Sequence, residues 1–153
     1  MTGPSPVMTG RVWAAVPVKE FAGAKQRLSP LLAPQQRQAL AAAMLEDVLA
    51  ALAEAPLAGI MVNTVDPLAR ELARRHGARV VEDDARTGHT GAVMAMARIL
   101  GGEGHEAMLT VPGDIPRVTA VEIIAVIEAR RPAPSFTIVG SIPSDLAVAR
   151  CGK

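Results

Sequence analysis

Three cationic side chains follow an apolar run near the beginning of the chain. The run at residues 12–16 ends at Pro17, and Lys19, Lys25 and Arg27 come soon after it. A nucleoside triphosphate carries about four negative charges, which such a cluster can largely neutralise, and arginine can hold phosphate oxygens with its planar fork. The alternative is that all three are solvated surface charges. Their place after the first predicted strand of an α/β sheet favours a polyphosphate site.

A single carboxylate marks a second candidate site. Asp114 stands between Pro112 and Pro116, directly after the apolar run 107–111. Mg²⁺ prefers oxygen ligands, usually one or two carboxylates together with substrate phosphates. An aspartate in this context can equally serve as a turn residue that makes a local hydrogen bond. The residues leave both interpretations open.

The third candidate is the polar segment 82–91, which leads into a predicted helix. Backbone N–H groups at a helix start can receive an anion or the edge of a base. The acidic residues at 82–84 favour a solvated loop over a metal site, because no third ligand stands at a recognisable spacing. His89 is not favoured as a general base.

Apolar runs alternate with helical patterns along the chain. Strands are predicted at 12–16, 59–65, 79–82, 107–111 and 135–139. Continuous apolar strands are typical of a parallel sheet that is covered on both faces, so we expect a doubly wound, mostly parallel α/β fold. Ligands of such folds bind beyond the carboxyl ends of the strands. All three candidate sites follow predicted strands.

Four helices are predicted between these strands. The first begins at Pro34, and its inward stripe is expected to consist of Leu40, Met44, Val48 and Leu52. The others are expected to begin after the N-caps Asp66, Thr90 and Thr119 and to end near Gly77, Leu100 and Arg130. Thr119 and Glu122 have the spacing of a capping box.

Composition limits the classes of function. The chain has 153 residues, of which half are hydrophobic, and a net charge of +1, which fits one domain and gives no general attraction for nucleic acid. Only 2% of the residues are aromatic, which disfavours base stacking on single strands. The single cysteine, Cys151, excludes an intrachain disulfide and is consistent with a cytoplasmic protein. No apolar run approaches the about 20 residues of a membrane span. Association into a homodimer stays open.

Three ordered motifs carry a resemblance to a known family. They are PVK at 17–19 followed by AKQRL at 24–28, the helical segment AAAMLEDVL at 41–49, and VPGDIP at 111–116. Together they resemble the 2-phospho-L-lactate guanylyltransferase family, which serves biosynthesis of coenzyme F-420. The resemblance covers roughly residues 12–139 and also places the chain near the wider class of α/β nucleotidyltransferases.

The resemblance implies a reaction and its residues. GTP and a small phosphorylated acid (2-phospho-L-lactate, phosphoenolpyruvate or 3-phosphoglycerate) would bind with Mg²⁺, and pyrophosphate would leave. Lys25 and Asp114 would be catalytic, with Asp114 as the metal ligand. The nucleotide-binding residues would be Pro17, Lys19, Lys25, Arg27, Gly88, Thr90 and Pro112. The family often has an asparagine near the position of Thr90, which this chain lacks.

The last residues depart from the family pattern. Residues 140–153 match no family motif, so the chain is expected to be truncated or altered at its C-terminus. The expected organisation is a flexible lead-in at 1–11, an incomplete nucleotidyltransferase-like domain at 12–139 and an atypical tail at 140–153. Two further functions stay open. One is a nucleotidyltransferase for a sugar or alcohol phosphate, and the other is a nucleotide-binding protein that has lost the chemistry.

Overall fold

Strands and helices alternate in the order that the sequence predicts. The computed structural model describes residues 11–83 and 87–129, and the backbone of two strands at 136–141 and 144–149. The strands are β1 (Val12–Pro17), β2 (Gly59–Asn63), β3 (Arg79–Val81), β4 (Ala107–Thr110), β5 (Phe136–Ser141) and β6 (Ser144–Ala149). The helices are α1 (Pro34–Glu54), α2 (Pro67–Arg75), α3 (Gly88–Gly102) and α4 (Ala120–Glu128), and two short 3-10 turns, Phe21–Gly23 and Gln26–Leu28, precede α1.

The six strands form one sheet in the order β3-β2-β1-β4-β6-β5. The first four are parallel, and β6 runs antiparallel to both β4 and β5. Pro17 at the end of β1 pairs with Asn63 at the end of β2, and Ala15 pairs with Thr110 of β4. The mostly parallel α/β sheet is therefore as predicted, and its central strands β1 and β4 end side by side.

The strand β6 was missing from the sequence prediction. Its segment, SDLAVA, is short and begins with polar residues, so it lacks the continuous apolar run of the other strands. It is recognised as a strand only through its two antiparallel partners. The predicted fifth strand is found as β5, although its expected first residue, Ser135, and residues 1–10 of the lead-in expected at 1–11 lie outside the described residues.

Helices cover both faces of the sheet. On one face, Val12, Ala14 and Val16 of β1 belong to a core cluster with residues of α1, α2 and α4. On the other face, Ala15 packs with Met96 of α3 in a smaller cluster. Successive side chains of β1 therefore enter opposite cores, which confirms the doubly wound arrangement.

The buried face of α1 is rotated from the predicted stripe. Val48 and Leu52 are buried as predicted, whereas Leu40 and Met44 are only half-buried. The centre of the face includes Ala41, Leu45 and Leu49. A step of four residues advances slightly more than one helical turn, so a strict four-residue stripe drifts away from the contact line.

The helix starts follow the predicted caps with one exception. Asp66 caps α2, and Thr119 and Glu122 exchange both hydrogen bonds of a capping box at α4. The prediction for α3 was wrong: its N-cap is Thr87, and Thr90 lies within the first turn. Gly88, with a φ of +89°, makes this earlier start accessible. Among the described helices, none is long and apolar enough to cross a membrane.

Candidate functional site

The loop after β1 is folded rather than open. Its two 3-10 turns are joined through Lys25, which adopts the left-handed conformation with a φ of 54°. Phe21 is 5% exposed and packs in the core against α1, which anchors the first turn. Lys19 and Arg27 are exposed, and Lys25 is half-buried. A non-glycine residue in this conformation is uncommon and is often found at functional sites.

The turn after β4 packs directly on the end of β1. The backbone N–H of Val111 donates to the carbonyl of Ala15 at 3.0 Å, so the ladder between the strands continues past β4. A Cβ atom added at Gly113 would lie 3.3 Å from Val18 and 3.4 Å from Leu45. A side chain at this position would be in tight contact with both neighbours, so glycine lets the turn approach β1 closely just before Asp114.

These two loops bring Lys25 and Asp114 together. The Nζ atom of Lys25 lies 3.2 Å from Oδ2 of Asp114, although the residues are 89 positions apart in the sequence. The two side chains are 23% and 59% exposed, respectively. An ion pair with this exposure contributes only about 0–1 kcal/mol to stability, so its geometry is not explained by a need to hold the fold together.

A cleft opens between the end of β1 and the start of α3, and neither Lys25 nor Asp114 lines it. It has a volume of ≈ 240 Å³, counting the part open to solvent, and its lining consists of Pro17, Val18, Lys19, Gly88, His89 and Ala92. Three predicted nucleotide-binding residues are thereby brought to one place, namely Pro17, Lys19 and Gly88. His89, which was not favoured as a general base from the sequence, also lines the cleft.

The other predicted nucleotide-binding residues, Lys25, Arg27, Thr90 and Pro112, are not among the described residues that line the cleft. Arg27 and Thr90 are exposed. Pro112 is half-buried in the turn that carries Asp114. The N-terminus of α3, with Gly88 at its first position, faces the same cleft as Lys19, so backbone N–H groups and a cation converge on one space.

Two buried polar residues, Asn63 at the end of β2 and Asp66 beyond it, were not predicted as part of the site, although Asp66 was predicted as a helix cap. Asn63 donates from Nδ2 to the backbone carbonyls of Asp83 and Ala92, at 2.7 and 3.1 Å, and its backbone carbonyl accepts from the N–H of Val18. Asp66 accepts a hydrogen bond from the N–H of Phe21. Asn63 thus binds two residues of the cleft lining, Ala92 and Val18, whereas Asp66 holds the loop after β1. A polar residue at the end of an apolar strand was the available signal for Asn63.

The donor set at the carboxyl ends of the strands fits a phosphate-bound divalent cation. Among the described residues, no group of three or more histidine, cysteine, aspartate or glutamate side chains could hold a metal ion by itself. Asp114 offers an exposed carboxylate beside Lys25. Mg²⁺ is commonly bound by one or two carboxylates together with substrate phosphates. A single carboxylate such as Asp114 fits this kind of site, and it does not fit a site built from protein ligands only.

Comparison with known sequences finds guanylyltransferases, both by family model and by individual relatives. Residues 12–135 match the family model described as "Guanylyl transferase CofC like". A phosphoenolpyruvate guanylyltransferase from Roseiflexus sp. is 40% identical over 114 residues, which are 74% of this chain and 50% of that protein. The enzyme of the same name from Conexibacter woesei is 37% identical over 131 residues, covering 83% of this chain and 57% of that protein. The chain thus spans about half the length of the curated relatives it matches.

Solved structures share the fold at low sequence identity. A nucleotide-diphospho-sugar transferase from Desulfovibrio desulfuricans superposes with a TM-score of 0.73 at 13% identity, covering 92% of this chain and 64% of that structure. A CMP:2-keto-3-deoxy-manno-octonic acid synthetase complexed with CTP gives a TM-score of 0.60 at 12% identity, with coverages of 92% and 74%. At this identity the likeness shows the α/β nucleotidyltransferase-like fold.

Proposed function

The chain belongs to the CofC-like guanylyl transferase family, and from this we propose that it carries the GTP site of an enzyme that transfers GMP to a small phosphorylated acid. In this reaction a phosphate oxygen of the acid attacks the α-phosphorus of GTP. The bond from that phosphorus to the bridging oxygen breaks, and pyrophosphate leaves. The product would serve biosynthesis of coenzyme F-420.

The observation that carries the proposal is the pairing of Lys25 with Asp114 at 3.2 Å, on the loops that follow the adjacent parallel strands β1 and β4. In the absence of ligand the two charges neutralise each other. A bound triphosphate offers the ammonium group a stronger partner, because charge-assisted hydrogen bonds to phosphate are strong. Lys25 would then bind the phosphates, and the carboxylate of Asp114 would be released for a cation. Lys19 and Arg27 would add positive charge.

Asp114 would hold Mg²⁺ together with phosphate oxygens of the substrate. When bound, the metal stabilises negative charge on the phosphates and orients the attacking group. The chain's own contribution is to position the reactants. Gly88 and the N-terminus of α3 would contact the nucleotide, with Pro17, Thr90 and Pro112 around it, and the apolar side of the cleft at Val18 and Ala92 would exclude water.

Phosphoenolpyruvate is the acid we favour among the three candidates. The relatives from Roseiflexus, Conexibacter woesei and Rubrobacter xylanophilus all carry the name phosphoenolpyruvate guanylyltransferase. 2-Phospho-L-lactate and 3-phosphoglycerate share the same two functional groups, a phosphate ester and a carboxylate. The three acids therefore need to be compared directly.

The test is to measure pyrophosphate release from GTP with each acid in the presence of Mg²⁺, and GTP binding by calorimetry. Asp114→Asn and Lys25→Ala are expected to lose pyrophosphate release by about a hundredfold or more, since each removes a charge from the reacting phosphates. Arg74→Ala is the matched control, because Arg74 is an exposed cation on α2 outside the cleft lining.

The outcomes separate the alternatives. Activity that survives both substitutions would contradict the site assignment. Pyrophosphate release only from another nucleotide, or only with a sugar or alcohol phosphate, would indicate a different nucleotidyltransferase. GTP binding without pyrophosphate release under any of these conditions would favour a nucleotide-binding protein without the transfer reaction.

A further inference from the structure

We propose that Asp66 is a positioning residue that holds the cationic loop in its phosphate-binding shape. Asp66 lies beyond β2, is 8% exposed and does not line the cleft. Its Oδ2 accepts a hydrogen bond of 2.9 Å from the backbone N–H of Phe21, 45 positions earlier in the chain. The inference rests on the proposed function of the loop that begins at Lys19.

The same carboxylate caps the next helix. Its Oδ1 accepts from the backbone N–H groups of Leu68 and Ala69 at 2.9 and 3.0 Å, which is the usual work of an N-cap aspartate. The backbone N–H of Asp66 donates to Oγ1 of Thr64 at 3.1 Å, so the backbone is held as well. One oxygen therefore serves α2 and the other serves the loop after β1.

The second contact is not required for a helix cap. Serine and threonine cap helices with one oxygen, as Thr119 does at α4. In Asp66 the two oxygens have separate partners, because Oδ1 accepts from the helix N–H groups and Oδ2 accepts from Phe21. Because a buried backbone N–H without a partner is costly, the hydrogen bond from Phe21 favours the folded turn over an open loop.

The hydrogen bond between Phe21 and Asp66, which we call the tether, acts on the phosphate-binding cations through the first 3-10 turn. The Phe21 ring is buried against α1 and its N–H is bound to Asp66, so the first 3-10 turn is fixed at both its side chain and its backbone. Lys19 comes just before this turn and Lys25 follows it in the left-handed conformation. Release of the turn would therefore change the positions of both ammonium groups.

The variant that separates the two roles is Asp66→Ser. Serine keeps a good cap for α2 but has no second oxygen for Phe21. Leu72→Val is the matched control, because Leu72 is 4% exposed on the same helix and its truncation lowers stability while the carboxylate of Asp66 is kept. The two variants are compared at equal global stability, as judged from their urea midpoints.

Amide hydrogen exchange and tryptic cleavage provide readouts independent of activity. In Asp66→Ser we expect the Phe21 amide to exchange about tenfold faster or more, since one charge-assisted hydrogen bond is lost. Trypsin should cleave after Lys19, Lys25 and Arg27 more rapidly, while amides of β1 exchange as in Leu72→Val. GTP affinity should fall about fivefold or more with GMP affinity unchanged, because the loop contacts the terminal phosphates.

The possible failures are distinguishable. Phe21 exchange that rises no more than in Leu72→Val overturns the tether. Faster Phe21 exchange with unchanged GTP affinity overturns the positioning role. Wild-type protein that binds no GTP refutes the proposed function itself, and the exchange data then still decide whether Asp66 holds the loop.

Discussion

The ammonium group of Lys25 lies 3.2 Å from the carboxylate of Asp114, and each stands on a loop that follows a central strand of the sheet. β1 and β4 are adjacent and parallel, so their carboxyl ends meet at one edge. The left-handed backbone of Lys25 directs one side chain, and the close packing of Gly113 positions the other. Two separate local backbone features thus bring these two side chains into contact.

Replacement of Lys25 should separate ligand binding from stability. Lys25→Met keeps the length of the side chain but removes its charge. We expect GTP affinity to fall about tenfold or more, since charge-assisted hydrogen bonds to phosphate are lost. The free energy of unfolding should change by less than about 1 kcal/mol, because the ion pair with Asp114 is partly exposed. Calorimetry with GTP and urea unfolding measure the two effects.

Arg74→Met is the control for charge in general. Arg74 is exposed on α2, and its loss changes the net charge by the same amount. Equal losses of GTP affinity in the two variants would indicate a diffuse electrostatic effect and would contradict a specific role for Lys25.

A side chain at Gly113 should disturb the turn that carries Asp114. The added Cβ in Gly113→Ala would lie 3.3 Å from Cγ2 of Val18 and 3.4 Å from Cδ1 of Leu45, so these neighbours or the turn must shift. We expect a loss of about 1–2 kcal/mol in the free energy of unfolding. Because the turn carries Asp114, pyrophosphate release should fall by more than the loss of folded protein explains. Gly102→Ala is the control, since its Cβ would meet nothing within 4 Å. Equal stability of the two variants would contradict tight packing of Gly113 against Val18 and Leu45.

The amide of Asn63 should be essential for the wall formed by α3. Asn63→Asp places a carboxylate against the carbonyl oxygens of Asp83 and Ala92, which accept hydrogen bonds from Nδ2 in the native protein. We expect the free energy of unfolding to fall by about 2 kcal/mol or more, because a buried charge faces acceptors without a donor. Hydrogen exchange in the first turn of α3 should increase. Unchanged exchange there would contradict the proposed support of the cleft.

The opposite end of β2 offers a test that leaves the site intact. A Cβ atom at Gly59 would lie 2.5 Å from the Trp13 ring, so Gly59→Ala must displace the indole. We expect a loss of about 1–3 kcal/mol in stability and a change in emission of the single tryptophan. GTP affinity should stay within about twofold at temperatures where the variant is folded, because the cleft lies at the other end of the strand. Unchanged fluorescence would show that the ring has room to accept the methyl group.

Most secondary structure could be predicted because its signals are local. Pro34 begins α1, Asp66 caps α2, and Thr119 with Glu122 caps α4, and each depends on residues within one turn of the helix. The wrong start of α3 has a local cause as well, since Thr87 and Thr90 are both acceptable caps and only the backbone of Gly88 distinguishes them. β6 could not be found in this way, because its pairing depends on β4 and β5.

The sequence by itself determined the alternation of strands and helices, the three polar segments that follow strands, and the motifs typical of the family. The tertiary structure decided which of those residues share a site. It brought Lys25 to Asp114, placed Lys19 and Gly88 on one cleft, and joined Asp66 to Phe21. Local signals depend on neighbouring residues, whereas these contacts depend on the order of strands in the sheet, which brings distant segments to the same edge.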